Sequence, residues 1–195
     1  YLDELIQLEG RGRANHSCYA CGNLNAPYHC EDCFLVDLFC HLCIIKLPQT
    51  VPLHQVKQWQ DGYFHSTTLK HLGLHIQLGD HTNQPCCNPK PAQEDDFVVI
   101  NVHGIHEVVL DFCDCTNAPS HYRQLLCCCL FPATSTDLNT AATFAVLKHF
   151  YLLSFESKVS AYEFNHCLVH QSDNTGIQPI KVRLISYFSE HGTCY

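Results

Sequence analysis

Three Cys-x-x-Cys pairs stand within 26 residues of this chain, and they limit its possible folds more than any other feature. The pairs are Cys18/Cys21, Cys30/Cys33 and Cys40/Cys43, and a tighter Cys-x-Cys follows at Cys113/Cys115. A Cys-x-x-Cys turn holds its two thiolates at about the distance that separates two ligands of one tetrahedral metal ion. Two such turns can therefore supply all four ligands. Three pairs in succession therefore predict a fold built around zinc.

Fifteen cysteines in 195 residues suit either a disulfide scaffold or metal sites. The odd number, the clustering in pairs and the fifteen interspersed histidines favour reduced, metal-bound thiols in an intracellular compartment. We therefore expect two or three structural zinc ions. The sequence contains no run of about 18 apolar residues, so no membrane span is predicted. Because the chain starts at Tyr1 and contains no Met, we expect it to be an excerpt of a longer protein.

The charge balance is acidic, with a formal net charge of −8 at pH 7. This is not the electrostatic signature of a self-sufficient nucleic-acid-binding domain. Residues 94–137 hold seven acidic residues and one basic residue, Arg123. The first 60 residues are nearer to balance, and their basic residues are Arg11, Arg13, Lys46 and Lys57. We expect any contact with phosphates at that end of the chain.

The sequence predicts an α+β fold: a small zinc-stabilised module like a B-box or RING cross-brace, a short β-hairpin region with a further zinc site, and a helical segment. The predicted segments are an N-terminal segment over 1–15, the cysteine-rich zinc module over 16–66, a strand-rich region with the Cys-x-Cys motif over 67–135, the helical segment over 136–178 and a C-terminal tail over 179–195.

Apolar periodicity places the secondary structure. It predicts an amphipathic helix at 1–9, a half-buried strand at 69–78, and two strands within 97–115. An Asp61-Gly62 turn is predicted near the end of the zinc module, and the proline-rich stretch from Pro85 to Pro91 is predicted to be a loop.

Two helices are expected in the helical segment. Asn139 or Thr140 is a candidate cap for one that reaches about Ser154, and Ser160-x-x-Glu163 is a capping box for the next.

Two ligand arrangements are open in the zinc module. In a cross-brace, Cys18/Cys21 and Cys40/Cys43 share one zinc, and Cys30/Cys33 bind a second zinc with His54. In a sequential ribbon, the first two pairs share one zinc, and Cys40/Cys43 bind the second with His54 and His65. We prefer the cross-brace, because small two-zinc modules become more compact by interleaving their ligands.

A third site can be assembled in the strand-rich region. Cys113 and Cys115 are predicted to bind zinc with Cys86 and His81, across the proline-rich loop. The alternative is that Cys86 and Cys87 are small core residues. Adjacent cysteines rarely bind one metal together, so the run at 127–129 is predicted to be structural filler.

Enzyme motifs are missing from the sequence. It contains no phosphate-binding Gly-rich loop, no His-Glu-x-x-His and no Gly-x-Ser-x-Gly, and four protein ligands per site leave no open metal position. We therefore predict structural zinc, no catalysis and no small-molecule substrate.

Several ordered motifs resemble one known family. They are PLHQVKQW at 52–59, GYFHSTTLKHLGLHIQLG at 62–79, Asn88-x-x-Pro91 after Cys86, VVINVHGIH through FCDC at 98–115, LFPATSTDLNTAATFAVLKHF at 130–150, SKVSAYEF at 157–164 and DNTGI at 173–177. With the cysteine ladder, they resemble the cysteine-cluster domain of the second CxC subtype, associated with KDZ transposases of fungal mobile elements.

The resemblance implies a zinc-binding region in a nuclear transposon protein, N-terminal to a catalytic domain that this chain lacks. Its implied role is recognition of DNA or of a target site. The alternative is a B-box-like module that binds the transposase catalytic domain or a host protein. One departure concerns the second zinc, because Pro48 stands where the family usually has a histidine. Three alternatives follow: this zinc recruits His29, His41 or His65, it binds weakly, or it is lost.

Overall fold

The structure is a computed structural model of the 195-residue chain. It describes residues 1–12, 14, 16–34, 37–46, 52–79, 84–92, 97–134 and 138–172, apart from the side chain of Leu8. The chain divides into two compact units, Tyr1–Leu74 and His75–Tyr195. Within the described ranges, none of the helices combines the length and the apolar character needed to cross a lipid bilayer.

The first unit is built on a four-stranded antiparallel sheet. Its strands are β1 (Tyr28–Cys30), β2 (Leu38–Phe39), β3 (Val56–Gln60) and β4 (Tyr63–Thr67), in the order β2-β1-β3-β4. Helix α1 spans Leu2–Glu9, as the apolar pattern predicts, and the short helix α2 spans His41–Lys46. The cysteine-rich module therefore contains a helix as well as hairpins.

A two-residue turn joins β3 to β4. Asp61 and Gly62 both have positive φ, at 53° and 91°, as a type I′ turn requires. This turn matches the right-handed twist of the two strands, and glycine takes its second position without steric cost. The predicted turn at Asp61-Gly62 is confirmed.

Cysteine makes up part of the core of the first unit. Cys18, Cys30 and Cys40 are buried in one cluster with larger side chains such as Leu38 and Ile44. Thiols pack as small apolar groups and bury less area than leucine or phenylalanine. This core therefore supplies less hydrophobic stabilisation than its number of buried residues suggests.

The second unit contains a six-stranded mixed sheet. Its strands are β5 (His75–Gln77), β6 (Pro89–Pro91), β7 (Phe97–Asn101), β8 (Gly104–Cys113), β9 (Leu130–Pro132) and β10 (Thr140–Thr143). The order is β5-β8-β7-β10-β9, and β6 also pairs with β8. The β5/β8 and β10/β7 pairs are parallel, and the others are antiparallel. The predicted hairpin exists as β7 and β8, but the prediction of a short hairpin region underestimated the sheet.

Two local predictions in the strand-rich region were wrong. The stretch predicted to be a loop contains β6, whose prolines lie opposite Cys113 and Asp111 at positions that need no N–H donor. The strand predicted over 69–78 is only β5, because a turn with Gly73 at φ 87° precedes it. Apolar residues alternate over 72–78, but the backbone forms turns over 69–73, and only His75–Gln77 is extended as a strand.

The described residues of the second unit also form three helices: α3 (His121–Cys127), α4 (Phe144–Ser157) and α5 (Ala161–Ser172). Helix α4 starts later than predicted, because Thr140–Thr143 pairs as β10, and Thr143 is its cap through a 3.2 Å bond from the Val146 N–H. The predicted capping box of α5 is confirmed. The backbone N–H of Ser160 donates to the Glu163 carboxylate at 2.9 Å, and that contact lowers the pKa of Glu163.

The core of the second unit gives the first prediction. Phe97 is fully buried and packs edge-on against Phe112, with ring centroids 6.5 Å apart. Phe97→Ala should lower the free energy of unfolding by about 3–5 kcal/mol, measured by denaturant titration, because it leaves a cavity. Phe155→Ala is the control, since Phe155 is 64% exposed, and it should change stability by about 0.5 kcal/mol at most. Equal losses in the two variants would contradict this description of the core.

Candidate metal centres

Four cysteines of the first unit lie together, and we call them the first group: Cys18, Cys21, Cys40 and Cys43. A tight turn after Cys18, closed by its carbonyl and the Gly22 N–H, brings the first pair together. The second pair lies at the start of α2, with Cys40 preceding the helix. Their sulfurs all lie within 4.8 Å of one another, and those of Cys21 and Cys40 are 3.6 Å apart. Sulfurs that bind one tetrahedral zinc lie about 3.8 Å apart, so the donor set fits that ion.

The thiols of the first group have unequal pKa values. Burial raises the pKa of Cys18, but backbone N–H groups of Cys40, Cys21 and Ala20 outweigh burial and lower it to about 6. The pKa of Cys43 is raised to about 12, first of all by its hydrogen bond with the Cys40 thiol. The crowded sulfurs compete for negative charge, and a shared divalent cation would relieve that repulsion.

The second group consists of Cys30, Cys33 and His54. The Nδ1 atom of His54 lies 3.2 Å from the Cys30 sulfur and 3.7 Å from the Cys33 sulfur. Sulfur and nitrogen ligands of one tetrahedral zinc lie about 3.6 Å apart. The Asp32 carboxylate accepts a 2.6 Å bond from the Gln55 N–H, and this bond holds the Cys33 loop beside His54.

The two groups interleave along the sequence. The first group takes the outer Cys-x-x-Cys pairs, and the second takes the middle pair with His54. This is the grouping that the cross-brace arrangement needs, and the sequential ribbon would require different neighbours. Of the described histidines, none of His29, His41 and His65 joins the second group, and Pro48 lies outside the described residues.

The third group lies in the second unit and consists of Cys86, Cys113 and Cys115. Cys113 ends β8, and the sulfurs of Cys86 and Cys115 are 3.5 Å apart. Burial raises the pKa of Cys86 to about 11. His81, the remaining ligand expected from the sequence, lies outside the described residues.

Gln124 holds the end of β8 in place, a role that sequence reasoning missed. The side chain is 2% exposed. Its Oε1 accepts a 2.8 Å bond from the Cys113 N–H, while Nε2 donates to the carbonyls of Cys113 at 2.7 Å and Pro119 at 2.8 Å. A buried amide with all three bonds made fixes the backbone of a candidate ligand. The only available signal was a glutamine beside apolar residues in a helical segment. Glutamine is common on the exposed faces of helices, so this signal does not indicate a buried amide.

The prediction of structural filler at 127–129 was wrong. Cys127, Cys128 and Cys129 are all exposed, because α3 ends there and Cys129 takes a left-handed turn with φ 57°. Cys167 is also exposed, on α5, and Cys194 lies outside the described residues. None of these exposed thiols belongs to the three groups.

Comparison with known families bears on this geometry. Residues 69–176, more than half of the chain, match a family model described as a CxC2-like cysteine cluster associated with KDZ transposases. The chain belongs to this family. The match confirms the resemblance read from the motifs, and it covers the third group. The CxC2 domain is an accessory cysteine cluster and not a catalytic domain.

The match has a clear boundary in this chain. It begins after the Cys-x-x-Cys ladder of the first unit, so the first and second groups lie outside the matched CxC2 range. Searches of curated proteins and of solved structures found no match.

The first group gives the second prediction. Cys18→Ser should remove one metal ion per chain, measured by elemental analysis, because a three-thiolate remnant binds more weakly. Hydrogen exchange should accelerate in residues 16–66 first, since a structural zinc supplies on the order of 10 kcal/mol to a small module. Cys167→Ser is the matched control and should leave the metal content unchanged. Full metal content in Cys18→Ser would refute the site.

Gln124 gives the third prediction. Gln124→Leu keeps the volume but removes the bonds that Gln124 makes to the buried N–H and carbonyl of Cys113, at a cost of about 1–3 kcal/mol in unfolding free energy. Metal affinity should fall as well, because the ligand backbone is released. The control is Gln171→Leu, at an exposed position of α5. Denaturant and metal titrations that give identical results for both variants would contradict the role of Gln124.

Proposed function

We propose that this chain is a non-catalytic, zinc-stabilised recognition module of a KDZ-type transposon protein, acting in recognition of DNA or of a target site in the nucleus. The observation that carries the proposal is the gathering of ten cysteine and histidine ligands into three tight groups within a chain of the CxC2 family.

The first group supports a structural role for the metal. Its four thiolates fill a tetrahedral shell, so no position remains for substrate or water. Tetrahedral sites with sulfur and nitrogen donors favour zinc or an iron–sulfur cluster, and Cys-x-x-Cys pairs with a histidine are typical of zinc modules. In the second and third groups the same donor types are present, with three described ligands each.

Recognition of DNA draws its support from the family, whose members accompany transposases. A transposase complex must find both its own ends and a target, and an accessory module is a natural place for that contact. The first unit holds the least acidic part of the chain, and Lys46 is exposed at the end of α2. We therefore place the phosphate contacts there.

A second candidate function is binding to another protein, and two sets of contacts favour it. Arg11 lies over the Trp59 ring, 5.0 Å from its centroid, and Lys57 pairs with Glu31, so two of the expected phosphate contacts are engaged within the protein.

Apolar side chains next to the ligands also project into solvent. Phe34 is fully exposed, Leu24 is 86% exposed and Leu42 is 68% exposed. On this second function, these side chains contribute to one contiguous apolar surface of the kind that binds proteins. The partner on this hypothesis is the transposase catalytic domain or a host protein.

A salt titration of DNA binding is the fourth prediction. The zinc-loaded chain should shift a DNA duplex at low ionic strength, and log K should fall linearly with log salt as counterions return to the phosphates. Lys46→Gln should reduce the magnitude of the slope by about 1. The matched control is Lys148→Gln, an exposed lysine of α4, which should leave the slope unchanged.

The opposite result would select the second function. If the zinc-loaded chain binds no duplex even at low salt, DNA recognition by this chain is excluded. Retention of the transposase catalytic domain by the wild type, together with its loss in Phe34→Ser, would then support protein docking.

A further inference from the structure

Cys87 lies against the third group without belonging to it. Its sulfur is 3.1 Å from the sulfur of Cys115, closer than the 3.5 Å between Cys115 and Cys86. Cys87 is exposed and Cys115 is half-buried, whereas Cys86 and Cys113 are buried. The shorter of these two thiol contacts is therefore also the one that a small reagent in solution can reach.

The pairing of β6 with β8 explains this contact. The strands are antiparallel, and the 3.0 Å bond from the Asp114 N–H to the Asn88 carbonyl extends their register beyond β8. The next position along this register sets Cys87 opposite Cys115. Hydrogen-bonded and non-hydrogen-bonded pairs alternate in such a ladder, and this pair falls on the second kind, where side chains are closer. The Cβ atoms of opposed residues there lie near the upper end of the separation that a disulfide spans.

We propose that Cys87 and Cys115 form a redox-sensitive pair that controls metal retention at the third group. Oxidation joins the two sulfurs and removes Cys115 from the ligands, and reduction restores it. This inference rests on the proposed binding of zinc by the third group. Cys87 acts in it as a resolving thiol outside the metal shell.

Hydrogen peroxide supplies the oxidising equivalents. One thiolate of the pair attacks a peroxide oxygen, the O–O bond breaks, and hydroxide leaves and becomes water on protonation. The sulfenic acid formed on that sulfur is then attacked by the other thiolate. The S–O bond breaks, the S–S bond forms, and a second water leaves. The two sulfurs have lost two electrons to the peroxide, and the bridged Cys115 sulfur is no longer a thiolate ligand.

The test uses the full zinc-loaded chain, peroxide and a chromophoric zinc indicator. We expect the wild type to release the third-group zinc, identified as the part of the zinc content that Cys113→Ser lacks. Cleavage before aspartates places Cys87 in the fragment 80–94, which also holds Cys86, and Cys115 in 114–136, which also holds Cys127, Cys128 and Cys129. Tandem mass spectrometry of the linked fragments should therefore place the bond between Cys87 and Cys115, and Cys87→Ser should lack it. Cys87→Ser should keep its zinc before oxidation and release it about tenfold more slowly, because the intramolecular step is lost. Cys167→Ser should behave as the wild type.

Three outcomes would overturn the inference. If Cys87→Ser lacks one zinc before oxidation, Cys87 is a ligand and not a resolving thiol. If zinc leaves while no bond joins Cys87 to Cys115, another reaction is responsible. If Cys113→Ser and the wild type hold equal zinc before peroxide is added, the third group does not bind zinc. That result would refute the proposed zinc binding of the third group and, with it, this inference.

Discussion

The crowding of cysteine sulfurs is the constraint on which the rest of this structure depends. Burial and the neighbouring Cys33 thiol raise the pKa of Cys30 to about 12, and similar neighbours raise the pKa of Cys43. Sulfurs held this close keep their protons, join as disulfides or share a cation. The described cysteines form no disulfide. A shared cation is the solution that lets all the thiols of a group ionise while they stay packed in a small core.

Interleaving makes the first two groups dependent on each other. The first group joins Cys18 and Cys21 to Cys40 and Cys43, so the chain segment that it closes contains Cys30 and Cys33. Loop-closure entropy grows only with the logarithm of loop length, so enclosing the middle pair adds little cost. On the proposed zinc binding, the segment that the first group closes also contains β1 and the Cys30/Cys33 pair of the second group. Under that proposal, metal binding constrains the topology of the first unit.

The sequence predicted best what depends on neighbouring residues. Cys-x-x-Cys spacing is local, and so are the capping box of Ser160 and Glu163 and the turn at Asp61-Gly62; all of these are visible in a short window. What it missed depends on strand register. The role of Gln124 follows from where β8 ends, and Thr140–Thr143 is a strand because β7 and β9 flank it. The prolines of β6 led to the prediction of a loop. The segment is nevertheless a strand, because the two prolines occupy positions whose N–H groups the pairing with β8 does not use.

The third group shows the reverse relation between metal and fold. Its ligand Cys113 ends a strand of a six-stranded sheet whose core holds large side chains such as Phe97 and Ile100, both fully buried. The bonds from Gln124 fix the backbone of that ligand independently of any cation. On the proposed zinc binding, therefore, the metal organises the chain in the first unit, whereas in the second the sheet organises the candidate ligands. Loss of zinc from the third group can then alter the end of β8 while the sheet persists, which is the condition that a reversible thiol switch requires. The same oxidation at the first group would remove part of the core itself.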